Sequence, residues 1–227
     1  MTRHHADQVT IAVNDAVTVS GLMAAPAGAR ACYVMAHGAG AGMSHPFMEA
    51  MAAGLAERGI ASLRYQFPYM ELGRRRPDAP ALAQATVRAA VAKAGGLAVG
   101  VPLVAGGKSF GGRMTSQAQA EAPLPGVRGL VFLGFPLHPA GKPSDQRGQH
   151  LSRVEVPMLF LQGSRDQLAD LGLLNPLVKR LGEGAVLKVF PEADHSFHVP
   201  ARSGGSDAQV RDQIADSIAA WVEETCY

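Results

Sequence analysis

The chain has 227 residues, 47% hydrophobic and 18% charged, a balance that supplies a substantial core and fits one domain spanning residues 1–227. A formal net charge of +2 is too small to point to nucleic acid or a membrane surface as the partner. The two cysteines, Cys32 and Cys226, form no Cys-x-x-Cys motif, and two thiols alone cannot make a zinc site.

Residues Met1 to Asp7 lack the apolar core of a signal peptide, and no apolar run approaches the ~20 residues of a membrane span, so a cytoplasmic protein is expected. His4-His5 hints at metal but reads as a frayed polar terminus. Val9 to Val13 and Val17 to Met23 are β-rich runs around Asn14-Asp15, which predicts an N-terminal antiparallel hairpin. Cys32 to Ala36 is a continuous apolar run, as in a buried parallel strand, and Cys32 reads as a buried free thiol. Pro46 to Arg58 has helical spacing and stops at Gly59. The alternation continues with strand Ala61 to Tyr65, helix Pro80 to Ala94 ended by Gly95-Gly96, strand Leu103 to Ala105 and helix Phe110 to Glu121. Strands Gly129 to Phe135 and Val156 to Leu161, helix Leu168 to Leu181, strand Ala185 to Phe190 and an amphipathic helix Asp207 to Glu224 complete it. Strands alternating with helices of this length predict a mostly parallel twisted sheet covered by helices on both faces.

The chemistry centres on Gly106-Gly107-Lys108-Ser109-Phe110-Gly111-Gly112, where an apolar strand meets a helix. A Gly-x-Ser-x-Gly at such a junction is the nucleophile elbow of α/β-hydrolases, a serine on a strained turn at a helix N-terminus. Gly107-Lys108-Ser109 also resembles the end of a phosphate-binding P-loop, but that motif needs a glycine where Pro102 stands. An elbow of this kind requires an acid and then a histidine further along. Asp166 follows a strand and a glycine turn, whereas Asp170 falls within the following helix and Asp145 in a loop. His195 follows the last strand, with His198 as the alternative three residues on. Such a histidine would move the Ser109 proton, and Asp166 would orient its ring. The oxyanion hole would use the N–H of Phe110 and one from the small-residue loop His37 to Gly42, with Ala39 the best single assignment.

Four segments together carry a more specific likeness: His37-Gly-Ala-Gly-Ala-Gly42, Arg64-Tyr-Gln-Phe-Pro-Tyr69, Gly106-Gly-Lys-Ser-Phe-Gly-Gly-Arg113 and Phe135-Pro-Leu-His-Pro-Ala-Gly-Lys-Pro143. Over nearly its whole length the chain resembles the α/β-hydrolase superfamily. It is most similar to the small dienelactone-hydrolase-like branch that includes the testis-expressed hydrolase-like proteins and a related histone-acetyltransferase-complex subunit. The resemblance implies the α/β-hydrolase fold and catalytic positions at Ser109, Asp166 and His195. It names no substrate, and the kinship to a complex subunit keeps a scaffold with a vestigial site as the alternative.

The segment Phe135 to Leu151 is too short for a cap domain, so an open site is expected, with His37, Leu137, His138 and Lys108 as pocket candidates. Lys108 either draws anionic substrates or snorkels to solvent, the second being the simpler reading, and Arg74-Arg75-Arg76 reads as a solvated charge run. The expected activity is hydrolysis of a small ester-like substrate through an acyl-enzyme, with no cofactor or metal required. Ester, thioester, lactone and short peptide all suit such a site, and oligomeric state is not legible.

Overall fold

A computed structural model describes residues 6–227, so the His4-His5 pair lies outside the described residues. The strands and helices are β1 (Asp7–Ala12), β2 (Thr18–Ala24), β3 (Ala31–Ala36), α1 (Pro46–Glu57), β4 (Ile60–Tyr65), α2 (Pro68–Glu71), α3 (Pro80–Leu97), β5 (Leu103–Lys108), α4 (Phe110–Glu121), β6 (Val127–Leu133), β7 (Met158–Gly163), α5 (Leu171–Leu181), β8 (Ala185–Phe190) and α6 (Asp207–Cys226). The strands form one sheet in the order β1-β2-β4-β3-β5-β6-β7-β8. The hairpin β1-β2 occupies one edge and joins β4 antiparallel, while every other pairing is parallel. The segment between β6 and β7 holds only a short 3-10 helix, Gln146–Arg153, and no cap. Among the described residues no helix is long and apolar enough to cross a membrane.

Both sheet faces are covered. Met48, Met51 and Leu55 of α1 pack with Val210, Ile214, Ile218 and Val222 of α6 on one face. Val87 and Val91 of α3, Met114 and Ala118 of α4 and Leu174 and Leu177 of α5 fill the other. Central strands β3 and β4 are buried along their whole length; β3 accordingly reads as an apolar run without alternation, whereas β4 buries Ser62 and Arg64 as well. Each fully buried Leu, Met or Phe contributes about 1.5–3 kcal/mol of apolar transfer.

Several element boundaries lie one to three residues from expectation, and two of the differences have a local cause. Helix α3 runs through Gly95 and Gly96 to Leu97, because glycine in a helix costs only about 1 kcal/mol and does not end it. The left-handed turn comes at Gly100, with φ 84°. Helix α5 begins at Leu171 rather than Leu168, since the Asp170 carboxylate accepts the Gly172 N–H at 2.7 Å and caps it.

The chain order reverses at β3, which lies between β4 and β5, so a crevice opens beyond the carboxyl ends of β3 and β5. Strand β5 is squeezed there. Gly106 and Gly107 have φ of 148° and 137°, and a Cβ would lie 1.9 Å from the Val131 carbonyl oxygen at Gly106 and 2.1 Å from that of Ala36 at Gly107. Gly107→Ala is therefore expected to cost more than about 4 kcal/mol or to prevent folding. Gly96→Ala, at an exposed helical position with open space, should instead stabilise by about 0.5–1 kcal/mol. Urea denaturation of both variants checks this, and a Gly107→Ala midpoint near that of the wild type would refute the packing argument.

Candidate active site

Ser109 lies between β5 and α4 with φ 49° and ψ −115°, a conformation sparsely populated for any residue with a side chain. The turn is forced by crowding. A Cβ on Gly111 would lie 2.6 Å from the Ala36 Cβ and from the His37 carbonyl oxygen, and one on Gly112 2.7 Å from the Gly107 carbonyl oxygen. The Ser109 N–H donates to the Leu133 carbonyl at 3.1 Å, which ties the turn to β6. Phe110 is the first residue of α4, so its N–H is among the helix's first four and has no intrahelical acceptor.

Three strand ends converge on this serine. The Ser109 hydroxyl lies 2.9 Å from His195 Nε2, and His195 Nδ1 lies 2.7 Å from Asp166 Oδ2. A carboxylate only accepts, so Nδ1 carries the proton and Nε2 is left to accept from the hydroxyl. The Asp166 side chain is fully buried, whereas that of His195 is 24% exposed. Asp166 Oδ1 accepts from the Leu168 N–H at 2.8 Å, and Oδ2 also accepts from the Gln162 amide. Gln162 in turn accepts the Phe135 N–H at 2.9 Å. This fully buried glutamine escaped sequence reading, although a polar residue ending the apolar run Met158 to Leu161 was its signal. The arrangement is chemically suited to removing the hydroxyl proton and to holding the imidazolium so formed.

The competing acids and base lie elsewhere. Asp170 caps α5, Asp145 pairs with Arg180 at 3.1 Å on the surface, and exposed His198 pairs with Asp207 at 3.0 Å.

A cleft of about 430 Å³ opens beside Ser109, His195 and Lys108. Ala39 lines it from the glycine-rich loop. In that loop the Gly40 N–H donates to the Tyr69 hydroxyl at 3.0 Å and the Ala41 N–H to the Gly38 carbonyl at 3.2 Å. Phe47, Met48 and Leu168 supply an apolar wall that sequence reading missed. Helical spacing places Phe47 on a helix without marking it for a site, and the position of Phe47 and Met48 beside the glycine loop emerges from how α1 packs.

Three expected pocket residues do not reach the cleft. His37 is fully buried, its Nε2 accepting the Phe67 N–H at 3.1 Å and its Nδ1 donating to the Gly38 carbonyl at 2.8 Å. It packs edge-on against Phe67, with ring centroids 5.0 Å apart, and so ties the glycine loop to the segment leading into α2. Leu137 is fully buried in the core. His138 accepts the Asp170 N–H at 2.8 Å and donates to the Pro139 carbonyl at 2.9 Å, pinning the segment after β6 to the one carrying Asp166. Lys108 does line the cleft, yet it does not snorkel to solvent: its ammonium turns inward to the His195 carbonyl. Arg74, Arg75 and Arg76 are exposed and none lines the cleft.

A family model described as an alpha/beta hydrolase domain matches residues 29–223. The structure is similar to dienelactone hydrolase from Anabaena variabilis, at 21% identity over 99% of this chain and 100% of that one, with a TM-score of 0.77. It is also similar to a lidless serine hydrolase from Xanthomonas campestris (19% identity, 97% of each chain, TM-score 0.75). An esterase domain from Rhodothermus marinus matches at 16% identity over 98% of this chain and 100% of that one, with a TM-score of 0.75.

Burial pushes the His37 imidazole down from 6.5 to about 4, outweighing the opposing hydrogen bond to Gly38. Between these values the unfolded chain binds a proton that the folded chain refuses, so stability is lost as pH falls from 6.5 towards 4. At about 1.4 kcal/mol per unit this amounts to roughly 3 kcal/mol. Burial lowers His150 to about 4 as well, with the same sign. Urea midpoints at pH 7, 5 and 4 should fall with acidification, and less steeply for His37→Gln than for the wild type. Identical slopes for the two proteins would refute this role of His37.

Proposed function

The chain belongs to the α/β-hydrolase family, and we propose on that footing that it is a serine hydrolase cleaving a small ester-like substrate through an acyl-enzyme. One observation carries the reading: the unbroken hydrogen-bond chain from Ser109 Oγ through His195 to buried Asp166, with separations of 2.9 and 2.7 Å.

In the proposed reaction Ser109 Oγ attacks the carbonyl carbon while its proton passes to His195 Nε2. The carbonyl π electrons move to oxygen, and the N–H groups of Phe110 and Ala39 stabilise the negative charge. Two features support these donors: Phe110 opens α4, and Ala39 lines the cleft in a loop where the N–H groups of Gly40 and Ala41 are committed to Tyr69 and Gly38. Donors of this kind each contribute about 10²–10³ in turnover. The intermediate then collapses, the carbon–oxygen bond to the leaving group breaks, and the imidazolium protonates the departing alkoxide. Water follows the same route in reverse: His195 takes its proton, its oxygen attacks the acyl carbon, and Ser109 leaves with the proton returned. Asp166 remains ionised throughout and stabilises the imidazolium.

The cleft favours compact acyl groups. Its wall of Phe47, Met48 and Leu168 is apolar, and a volume of about 430 Å³ matches a small ligand. The absence of a cap leaves the leaving-group side open.

Ser109→Ala is expected to abolish hydrolysis of p-nitrophenyl acetate and labelling by a fluorophosphonate probe, with an unchanged thermal midpoint. Hydrolysis that persists in this variant, or wild-type protein that is folded yet neither hydrolyses the ester nor labels, would overturn the assignment; the latter result would favour the scaffold alternative.

A further inference from the structure

We propose that Lys108 is a positioning residue: its ammonium clamps the His195 backbone to β5 and so holds the imidazole on Ser109. This rests on the serine-hydrolase reading above.

The loop that carries His195 is intrinsically strained. Among the described residues only Ser109, Glu192 and Phe197 are non-glycine residues at positive φ, and the last two, at 60° and 62°, bracket His195. Some hydrogen bonds around it tie the loop to the turn after β7, where the Arg165 N–H donates to the Ala193 carbonyl at 2.9 Å and the Glu192 N–H to the Ser164 hydroxyl at 2.9 Å, and others tie it to itself. Asp194 Oδ1 accepts from Ser196 N–H at 2.7 Å and His198 N–H at 3.0 Å, and the Phe197 N–H donates to the Asp194 carbonyl at 3.0 Å. These bonds shape the turn but do not register it against the strand that bears the nucleophile. Lys108 does, because it immediately precedes Ser109 and its ammonium donates to the His195 carbonyl. Backbone and ring of His195 are thereby referred to two adjacent residues.

The surroundings are built to keep the ammonium in place. It lies 5.3 Å from the ring centroid of Phe197 and 6.0 Å from that of Phe47, and those rings stack with centroids 5.8 Å apart. Gly134, at φ 69°, provides the room: a Cβ there would lie 2.9 Å from Lys108 Nζ and 3.4 Å from His195 Cε1. Among the described residues no carboxylate lies within ion-pairing distance of Lys108. Asp166 and Asp194 face it at longer range and favour its charge, and His195 and His45 are the other titratable groups around the cleft. Burial outweighs the two carboxylates and brings the ammonium down to about 8.

This creates opposite pH dependences for activity and stability. Between pH about 8 and 10.5 the unfolded chain keeps the lysine proton and the folded chain has released it, so stability from this group rises with pH. Over the same window the clamp loses its charge, so turnover should fall. A lysine with a purely structural role would make the two move together.

The test compares wild type, Lys108→Met and Lys108→Arg with p-nitrophenyl acetate from pH 6 to 10, alongside thermal midpoints and fluorophosphonate labelling rates. Lys108→Met should lose roughly 10²-fold in kcat, the scale of a misplaced catalytic group, with KM little changed and a midpoint at or above the wild type's. Its labelling rate should fall in parallel, and the wild-type decline above pH 8 should be absent. Lys108→Arg, which stays charged, should recover part of the rate and also lack the decline. An active, labelled wild type whose kcat survives Lys108→Met overturns the clamp alone, as does a variant whose midpoint and kcat fall together. A wild type that neither turns over nor labels overturns the clamp together with the hydrolase reading.

Discussion

Where β5 turns into α4, backbone meets backbone with no space for a single Cβ. Gly106 presses on Val131, Gly107 on Ala36, and Gly111 on Ala36 and His37. This close approach determines where the chain goes next. It drives Ser109 into positive φ, places its hydroxyl against His195, and starts α4 at Phe110. Every other part of the site is arranged relative to that turn.

The surrounding loops are held by buried polar groups as well as by apolar packing. His37 links the glycine loop to the Phe67 backbone, His138 links the segment after β6 to the Asp170 backbone, and Gln162 joins Phe135 to Asp166. Each side chain accepts one backbone N–H and also donates, His37 and His138 to the carbonyl of the next residue and Gln162 to Asp166. Unpaired, each of those buried N–H groups would cost about 1–3 kcal/mol. A neutral His37 suits this task, since burial opposes its charging. Lys108 is the contrasting case, a cation retained at the heart of the site.

Much of this was legible in the sequence. The apolar run at Cys32 to Ala36, the hairpin around Asn14-Asp15 and the amphipathic stripe of α6 report patterns that burial directly imposes. The order of Ser109, Asp166 and His195, each just past a strand, was legible because parallel strands all end on one edge of the sheet. Less legible were helix ends: Gly95-Gly96 failed to stop α3, which runs on to Leu97, because a glycine inside a helix costs only about 1 kcal/mol.

The side chains that line or support the cleft divide along the same boundary. Local chemistry determined which residues can occupy tight turns, which runs are buried and which polar groups follow strands, since those depend on conformations of a few consecutive residues. Only the tertiary structure decided that His37, Leu137 and His138 face the interior, that Phe47, Met48 and Leu168 wall the cleft, that Gln162 reaches Asp166, and that Lys108 bends back to His195. Apart from the Gln162–Asp166 bond, which joins residues four apart, these are contacts between segments distant in the chain, and their direction depends on how helices and loops pack over the sheet. No local pattern encodes that packing.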